Sequence, residues 1–259
     1  MGVTTLIGSA RIRKLRQAHH EELTEDISER IMSILGTAVH NILETGADEE
    51  DVVEERLYQS FGDTVISGQV DLRSPVEGGW VLSDYKTCSA FAIKKSPGGK
   101  IDWEEQLNVY RLLAEVNDHT IKGLEVVAVV RDWTRAAAER DKDYPQSAVI
   151  RIPIRMWDIG DTWKFVEDRV KAHKEEGLPD CSDEEMWSSP PVYAVFGINK
   201  DGSKKKRATR LFDHHHSAEM FRSELGVGAT TEVRPGRRAR CEGNYCGVAS
   251  VCTQFKQYK

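Results

Sequence analysis

Two strand-like runs and one helical pattern follow one another in the middle of the chain. The first run, T-V-I-S-G-Q-V-D at 64–71, is rich in the β-branched residues that favour strands. The second run, W-V-L-S-D-Y-K at 80–86, alternates so that Asp84 and Lys86 share one face. Apolar spacing then predicts a helix over 102–116. Two strands joined by a Pro- and Gly-containing turn and followed by a helix are typical of an α/β sheet.

The rest of the pattern extends this unit into a central mixed β-sheet with helices on both faces. Helical spacing predicts further helices over 27–43, 49–61, 158–176 and 218–225. Strands are predicted over 124–130, buried on both faces, and over 149–156. Residues 1–25 indicate a poorly packed arm or a first helix, and 89–99 indicate a loop.

The chain changes character at Cys181, which predicts a main domain over 1–180 and a basic, cysteine-rich region over 181–259 packed on it. Residues 197–259 carry 13 Lys+Arg and 6 Asp+Glu, whereas the first 196 residues carry 23 Lys+Arg and 36 Asp+Glu. An acidic body with a basic tail suits a metal-using enzyme that grips a polyanion at one side. Ordinary surface variation is the alternative interpretation.

Asp71, Asp84 and Lys86 are the strongest candidates for chemistry. Two carboxylates on neighbouring strands supply the oxygen ligands that Mg²⁺ and Mn²⁺ prefer. A bound divalent cation lowers the pKa of its water and neutralises charge on a phosphodiester, and a lysine beside it would stabilise the developing charge. Asp-x-Lys alone is common, and a solvated pair on an exposed strand is its usual explanation.

Two helical patterns add side chains to this group. Gly36, His40 and Glu44 are spaced by four on the 27–43 pattern, and Gln106 and Tyr110 are spaced by four on the 102–116 pattern. A lone histidine is more often structural, but beside carboxylates it favours a metal ligand, and an imidazole shifts preference toward Mn²⁺. Glu44 is equally suited to an ion pair.

Taken in order, four segments resemble the RecB-like branch of the PD-(D/E)XK nuclease superfamily and are similar to CRISPR-associated and phage iron–sulfur exonucleases. These segments are G-T-A-V-H-N-I-L-E at 36–44, G-Q-V-D at 68–71, S-D-Y-K at 83–86 and Q-L-N-V-Y at 106–110. The resemblance implies a restriction-endonuclease-like core. It implies metal ligands at His40, Asp71, Asp84 and the Tyr85 carbonyl, catalysis by Lys86 with both acids, and support from Gln106, Tyr110 and Glu44. The second acid is Asp84 where many members carry Glu.

The five cysteines are odd in number, and no export signal precedes them, which predicts a reducing cytoplasm rather than a disulfide framework. Cys241, Cys246 and Cys252 form a C-x4-C-x5-C cluster that predicts a zinc or iron–sulfur centre. The resemblance implies a [4Fe–4S] cluster, with Zn²⁺ as the alternative and Cys181 favoured over Cys88 as the fourth ligand. Two departures stand against it: a longer first gap than usual and no cysteine before His40.

A basic hairpin and an arginine cluster are candidate DNA contacts. The hairpin is predicted over 193–212, turning at Asp201-Gly202, and the contact residues are Lys204, Lys205, Lys206, Arg207, Arg237 and Arg238. Lysines that protect a sheet edge are the alternative interpretation.

The expected function is a Mg²⁺- or Mn²⁺-dependent DNA nuclease, acting as an exonuclease on single strands or ends. The setting would be recombination, repair or phage DNA processing, with recombination or replication proteins as partners and no membrane. The rivals are a non-catalytic DNA-binding or scaffold protein with a structural metal centre, and a zinc-binding interaction module.

Overall fold

The computed structural model of the protein describes residues 1–24 and 31–258. The chain divides into two compact units. The core unit comprises residues 1–13 and 24–179, and the C-terminal unit comprises residues 14–23 and 180–259.

The core unit is built on a five-stranded mixed sheet of order β1-β2-β3-β4-β5, which confirms the predicted α/β class. Its strands are β1 Val52–Phe61, β2 Thr64–Val76, β3 Gly79–Cys88, β4 Ile121–Val130 and β5 Val149–Ile154. All neighbouring strands are antiparallel except β3 and β4, which are parallel. A parallel pair needs a crossover connection, and the helix between these two strands supplies it.

The helices of the core unit flank this sheet. They are α1 Val3–Ile7, α2 Ala10–Ala18 (which continues into the C-terminal unit), α3 Ile31–Glu44, α4 Ala90–Lys95, α5 Ile101–Val116, α6 Arg135–Arg140 and α7 Ile159–Lys174. The crossover helix α5 buries Leu107, Leu112 and Leu113 almost completely against the sheet. Each leucine that is fully buried stabilises the fold by about 1.5–3 kcal/mol. Among the described residues, no helix combines the length and apolar character needed to cross a membrane.

Close packing between α5 and β2 depends on Gly68. A Cβ atom at this position would lie 2.7 Å from Cδ1 of Tyr110 and 2.9 Å from Cδ1 of Leu113. Only glycine therefore lets the Tyr110 ring lie against the β2 backbone without displacement.

The predicted helix over 49–61 is wrong, because this segment is strand β1. It pairs with β2 from Val52 to Phe61. Its apolar residues are spaced by four, which is an even number, so the same spacing also places Leu57 and Phe61 on one face of a strand. Hydrogen bonding to β2 makes this segment a strand rather than a helix, and local apolar spacing carries no information about that pairing.

One further segment differs from expectation. The predicted loop at 89–99 contains α4, which Ser89 caps by accepting a hydrogen bond from the Ala92 N–H. For residues 1–25, the helical alternative is confirmed by α1 and α2. The poorly packed arm is wrong, because Val3 and Leu6 are buried in the core and the Arg169 side chain donates to the Leu6 carbonyl.

Helix α3 is confirmed from Ile31 onward, and the predicted start at Ile27 lies outside the described residues. Although apolar, the described helix buries none of its residues fully. The other predicted strands and helices are present with ends shifted by a few residues.

The C-terminal unit contains a three-stranded antiparallel sheet of order β7-β6-β8. Its elements are β6 Val192–Phe196, β7 Arg210–Phe212, α8 His215–Glu224, β8 Thr230–Arg234, α9 Ala239–Glu242 and α10 Thr253–Lys256. The predicted pairing of the hairpin strands is present, and Gly202 turns the chain with φ +82°. The basic run is misplaced in the prediction: Lys204 makes an isolated bridge to Ile198, and 205–207 lie in the connection rather than on the return strand.

Candidate active site

The sheet register brings the two predicted acids together. Leu72 pairs with Ser83, so Asp71 on β2 and Asp84 on β3 lie at neighbouring positions of adjacent antiparallel strands. Both side chains are buried, at 8% and 2% exposure. Buried carboxyl groups are uncommon unless they are paired or bind a cation, so this pair is a candidate functional site.

Asp71 lies at the centre of a small hydrogen-bonded group that includes His40 from α3. Its Oδ2 atom accepts the Tyr85 backbone N–H at 2.8 Å and lies 3.6 Å from His40 Nδ1. His40 Nε2 is 2.8 Å from the Tyr85 carbonyl oxygen. Because a carbonyl only accepts, Nε2 is the donor in this contact, and Nδ1 is the ring nitrogen that faces Asp71. Metal-binding histidines are held in this way, through a backbone carbonyl on the other ring nitrogen.

Asp84 begins a second chain of contacts through Lys86. Lys86 Nζ lies 2.6 Å from Asp84 Oδ2 and donates to Gln106 Oε1 at 3.0 Å. The Gln106 amide in turn donates to the Tyr110 hydroxyl at 2.8 Å. This last bond orients the amide so that its oxygen faces the ammonium group. The structure thus brings together the predicted pairs Asp84–Lys86 and Gln106–Tyr110.

Glu54 is a site residue that sequence reasoning missed. Ligand atoms of His40, Glu54 and Asp71 all lie within 4.8 Å of one another. Glu54 has φ +53° within β1, a conformation that is rare for non-glycine residues and redirects its side chain. Reading 49–61 as a helix concealed it. Read as a strand antiparallel to β2, the same residues place Glu54 beside Asp71, between the pairs Val53–Leu72 and Glu55–Val70.

Glu44 enters the site through Glu54. The Glu44 carboxyl group lies beside that of Glu54, and the Gln69 amide donates a hydrogen bond to Glu54. Burial and then Glu44 raise the pKa of Glu54 above its usual value. Glu44 is therefore a neighbour of the group that contains His40, Glu54 and Asp71.

Electrostatics favour a cation at this point. Burial, and then the charge of Asp84, raise the pKa of Asp71 to about 7. Burial also raises the pKa of Asp84, against the opposing effect of Lys86. Carboxyl groups that resist ionisation in the protein alone become favourable as carboxylates beside a divalent cation. Carboxylate oxygens with one imidazole nitrogen fit Mg²⁺ or Mn²⁺ by donor chemistry.

Three of the four candidate cluster cysteines are neighbours in the C-terminal unit. Cys246 and Cys252 are buried, and the pKa of the Cys241 thiol is raised by burial and then by these two groups. Cys181 is held nearby in the same unit: its N–H donates to the Gln254 side chain at 2.8 Å, and Gln254 donates back to its carbonyl at 3.0 Å. Cys88 lies in the hydrophobic core of the core unit.

The candidate DNA contacts lie on the surface of the C-terminal unit. Lys204 pairs with Glu232 and lies over the Phe196 ring at 4.0 Å. Arg237 pairs with Glu242 at 3.0 Å, and the Arg238 guanidinium lies 3.5 Å from the Tyr258 ring centre. The remaining candidates, Lys205, Lys206 and Arg207, are exposed.

Comparison with known proteins shows which family the chain belongs to. The sequence profile of the PD-(D/E)XK nuclease superfamily matches residues 45–253, so the chain belongs to that superfamily. His40 lies before the matched segment. A solved structure described as "Crystal structure of SSO0001" is similar, with 18% sequence identity and a TM-score of 0.47. The similarity covers 69% of this chain and 78% of that chain. None of the curated proteins matches significantly.

Members of the superfamily are generally nucleases that hydrolyse phosphodiester bonds with divalent metals such as Mg²⁺ or Mn²⁺. The protein is therefore a metal-dependent nuclease in class, and its nuclease domain implies DNA as the substrate.

Proposed function

We propose that this protein is a divalent-metal-dependent deoxyribonuclease of the RecB-like branch, acting as an exonuclease on single strands or DNA ends. Recombination, repair or phage DNA processing in the cytoplasm is the proposed setting, with recombination or replication proteins as partners. The observation that carries the proposal is the meeting of the buried pair Asp71 and Asp84 with the half-buried His40 and Lys86. A binding module needs no such group.

His40 and Asp71 would hold the catalytic cation, with the third protein ligand supplied by Glu54 or Asp84. Glu54 belongs to the close group with these two residues, whereas Asp84 is engaged by Lys86. The Tyr85 carbonyl accepts a hydrogen bond from His40 Nε2, so in this arrangement it would orient the imidazole toward a cation at Nδ1. When bound, the cation lowers the pKa of a water molecule and neutralises charge on the phosphate.

Lys86 would stabilise the negative charge that develops on the phosphate oxygens. Its ammonium group is held by Asp84 and by the Gln106 oxygen, so no reorganisation is needed when that charge appears. Tyr110 acts one step further away, because it fixes the Gln106 amide. Gln106 and Tyr110 are positioning residues in this mechanism.

The C-terminal cysteines would hold a [4Fe–4S] cluster through Cys181, Cys241, Cys246 and Cys252. Four thiolates around one Zn²⁺ at about 2.3 Å would bring the sulfurs to roughly 3.8 Å from one another. The cluster rests on the resemblance to iron–sulfur nucleases, and one Zn²⁺ held by the same four thiolates is the alternative.

The test is cleavage of end-labelled single- and double-stranded DNA by anaerobically purified protein with Mg²⁺, Mn²⁺ or EDTA. Lys86→Ala is expected to cut about 100- to 1000-fold more slowly. Lys164→Ala is the matched control, because it removes an exposed lysine on α7 that pairs only with Asp168 among the described contacts. Equal rates in Lys86→Ala and wild type would place the activity elsewhere. DNA binding without cleavage would favour the scaffold protein instead.

A further inference from the structure

Two large aromatic rings lie side by side on the surface of the C-terminal unit. Trp187 is 52% exposed and Tyr245 is 68% exposed. Their ring centres are 5.5 Å apart at an angle of 44°. Exposed tryptophans that neighbour a second exposed ring are typical of binding surfaces rather than of ordinary protein surface.

The backbone holds Trp187 in this position. Trp187 has φ +52°, which is rare for a bulky residue. Its N–H donates to the Glu184 carbonyl at 3.0 Å, and its carbonyl accepts the Ala239 N–H at 3.4 Å. One residue earlier, the Met186 carbonyl accepts the Arg240 N–H at 3.2 Å. The tryptophan is therefore anchored on both sides although its ring faces solvent.

Tyr245 is presented in a comparable way. The residue before it, Asn244, has φ +58°, and the Tyr245 N–H donates to the Arg240 carbonyl at 3.0 Å. The Tyr245 ring lies against Gly243, where a Cβ atom would come within 2.6 Å of Cε2. The bare backbone of Gly243 thus supports the ring from one side.

Arginines lie beside the pair. The Arg240 guanidinium lies 5.4 Å from the Trp187 ring centre and also donates to the Glu185 carbonyl. Arg237 and Arg238 precede Arg240 on the same segment. Residues 180–259 carry 13 Lys+Arg against 10 Asp+Glu, and three of these acids stand directly before Met186 and Trp187. Exposed rings next to arginines are complementary to a polyanion whose bases are free to stack.

We propose that Trp187 and Tyr245 form a stacking platform for the bases of single-stranded nucleic acid, with Arg237 and Arg238 contacting the adjacent phosphates. Duplex bases are paired and stacked on each other, so they present no free face to the rings. The platform therefore selects single strands without selecting sequence. The inference deepens the proposed nuclease function by naming a site that grips its single-stranded substrate.

The test is binding of fluorescently labelled single-stranded and duplex oligonucleotides, measured by anisotropy in EDTA so that no cleavage occurs. Trp187→Ala with Tyr245→Ala is expected to weaken single-strand binding roughly ten-fold or more and to leave duplex binding unchanged. Trp187→Phe keeps a ring and is expected to restore most of the affinity. Phe91→Ala is the matched control, because Phe91 is 73% exposed on α4 of the core unit.

Salt dependence separates the two kinds of contact. Arg237→Ala with Arg238→Ala is expected to lower the slope of affinity against salt, whereas the aromatic variants keep the wild-type slope. Metal content and circular dichroism of each variant show that the C-terminal unit is intact, and Trp187→Phe decides where Trp187→Ala does not fold.

Single-strand binding by the aromatic variants equal to that of Phe91→Ala would overturn the platform. An equal loss for single strands and duplex would also overturn it. A platform that binds in a protein that never cleaves would contradict the nuclease proposal and leave the platform standing.

Discussion

The core unit and the C-terminal unit present their polar residues in opposite ways. In the core unit, Asp71 and Asp84 are buried on neighbouring strands, and their position follows from sheet register. In the C-terminal unit, Arg237 and the Trp187–Tyr245 pair are exposed, and positive φ values at Trp187 and Asn244 shape the turns that present the two rings. Burial shifts pKa values and prepares chemistry, whereas exposure prepares contact with a large ligand. One chain thus separates the groups suited to catalysis from those suited to binding.

The largest expected effect is the loss of stability of the C-terminal unit when one cysteine of the cluster is removed. Cys246→Ala removes a buried thiol from the cysteine group and is expected to destabilise this unit by several kcal/mol, because metal binding and folding are coupled. The measurement is metal content with limited proteolysis. Cys88→Ala, in the core of the other unit, is the control and should keep the metal. A stable Cys246→Ala protein with full metal content would contradict the assignment of Cys246 as a metal ligand.

The second effect is a pH dependence that arises in the core unit. The pKa of Asp71 is about 7 in the folded protein and ordinarily about 3.8, so the folded state holds this proton where the unfolded state has lost it. Without metal, the free energy of unfolding should therefore fall between about pH 4 and pH 7. The total is on the order of 4 kcal/mol. Melting temperature in EDTA against pH measures it, and an unchanged slope in Asp71→Asn would contradict this origin.

A bound divalent cation should reverse the loss of stability that the raised pKa of Asp71 causes. At a free Mn²⁺ concentration 100-fold above its Kd, wild-type protein is expected to gain about 2.7 kcal/mol of stability. Asp71→Asn should lose this gain together with cleavage, since a central ligand is missing. Asp161→Asn, an exposed acid at the start of α7, is the control and should keep both.

Packing behind the site gives a smaller effect. Gly68→Ala forces a Cβ atom against the Tyr110 ring and is expected to cost about 1–3 kcal/mol of stability. It should also slow cleavage, because Tyr110 orients Gln106 and Gln106 holds Lys86. Gly98→Ala is the control, because no atom of the described residues outside its chain neighbours lies within 4 Å of the added carbon. Full cleavage by a stable Gly68→Ala protein would contradict the role of Tyr110 in orienting Gln106 and Lys86.

The smallest effect decides between the two candidate third ligands. Glu54→Gln is expected to weaken Mn²⁺ binding about ten-fold, or about 1.4 kcal/mol, if Glu54 is the third ligand. Calorimetric titration measures this without cleavage. Glu55→Gln, one residue along β1, is the control. Unchanged Mn²⁺ affinity in Glu54→Gln would indicate that Asp84, and not Glu54, is the third protein ligand of the cation.

Regular elements explain how much of the core site is readable from sequence. Asp84 and Lys86 share a strand face, and Gln106 and Tyr110 share a helix face. The two-residue repeat of a strand and the 3.6-residue repeat of a helix are therefore enough to predict both pairs. Glu54 escapes this reasoning because it depends on β1 pairing with β2 and on a positive φ. The spacing of Leu57 and Phe61 fits either period, so only the tertiary partner settles the segment.

The C-terminal unit is less readable for a physical reason. Cysteine spacing indicates a metal centre, but the Trp187–Tyr245 pair is made by residues 58 positions apart on turns that local patterns do not specify. Lys205, Lys206 and Arg207 read as a strand because they follow a turn, yet they lie in the connection before β7. Contacts between short elements carry little periodic signal.

The central claim is that His40 and Asp71 hold a catalytic cation in the core unit. A crystal structure of the protein soaked in Mn²⁺, with anomalous diffraction at the manganese edge, tests it most directly. We predict an anomalous manganese peak within about 2.5 Å of an Asp71 carboxylate oxygen and of His40 Nδ1 in the wild-type crystals. The same peak should be missing from crystals of Asp71→Asn. A manganese peak elsewhere with no peak at Asp71 would contradict it.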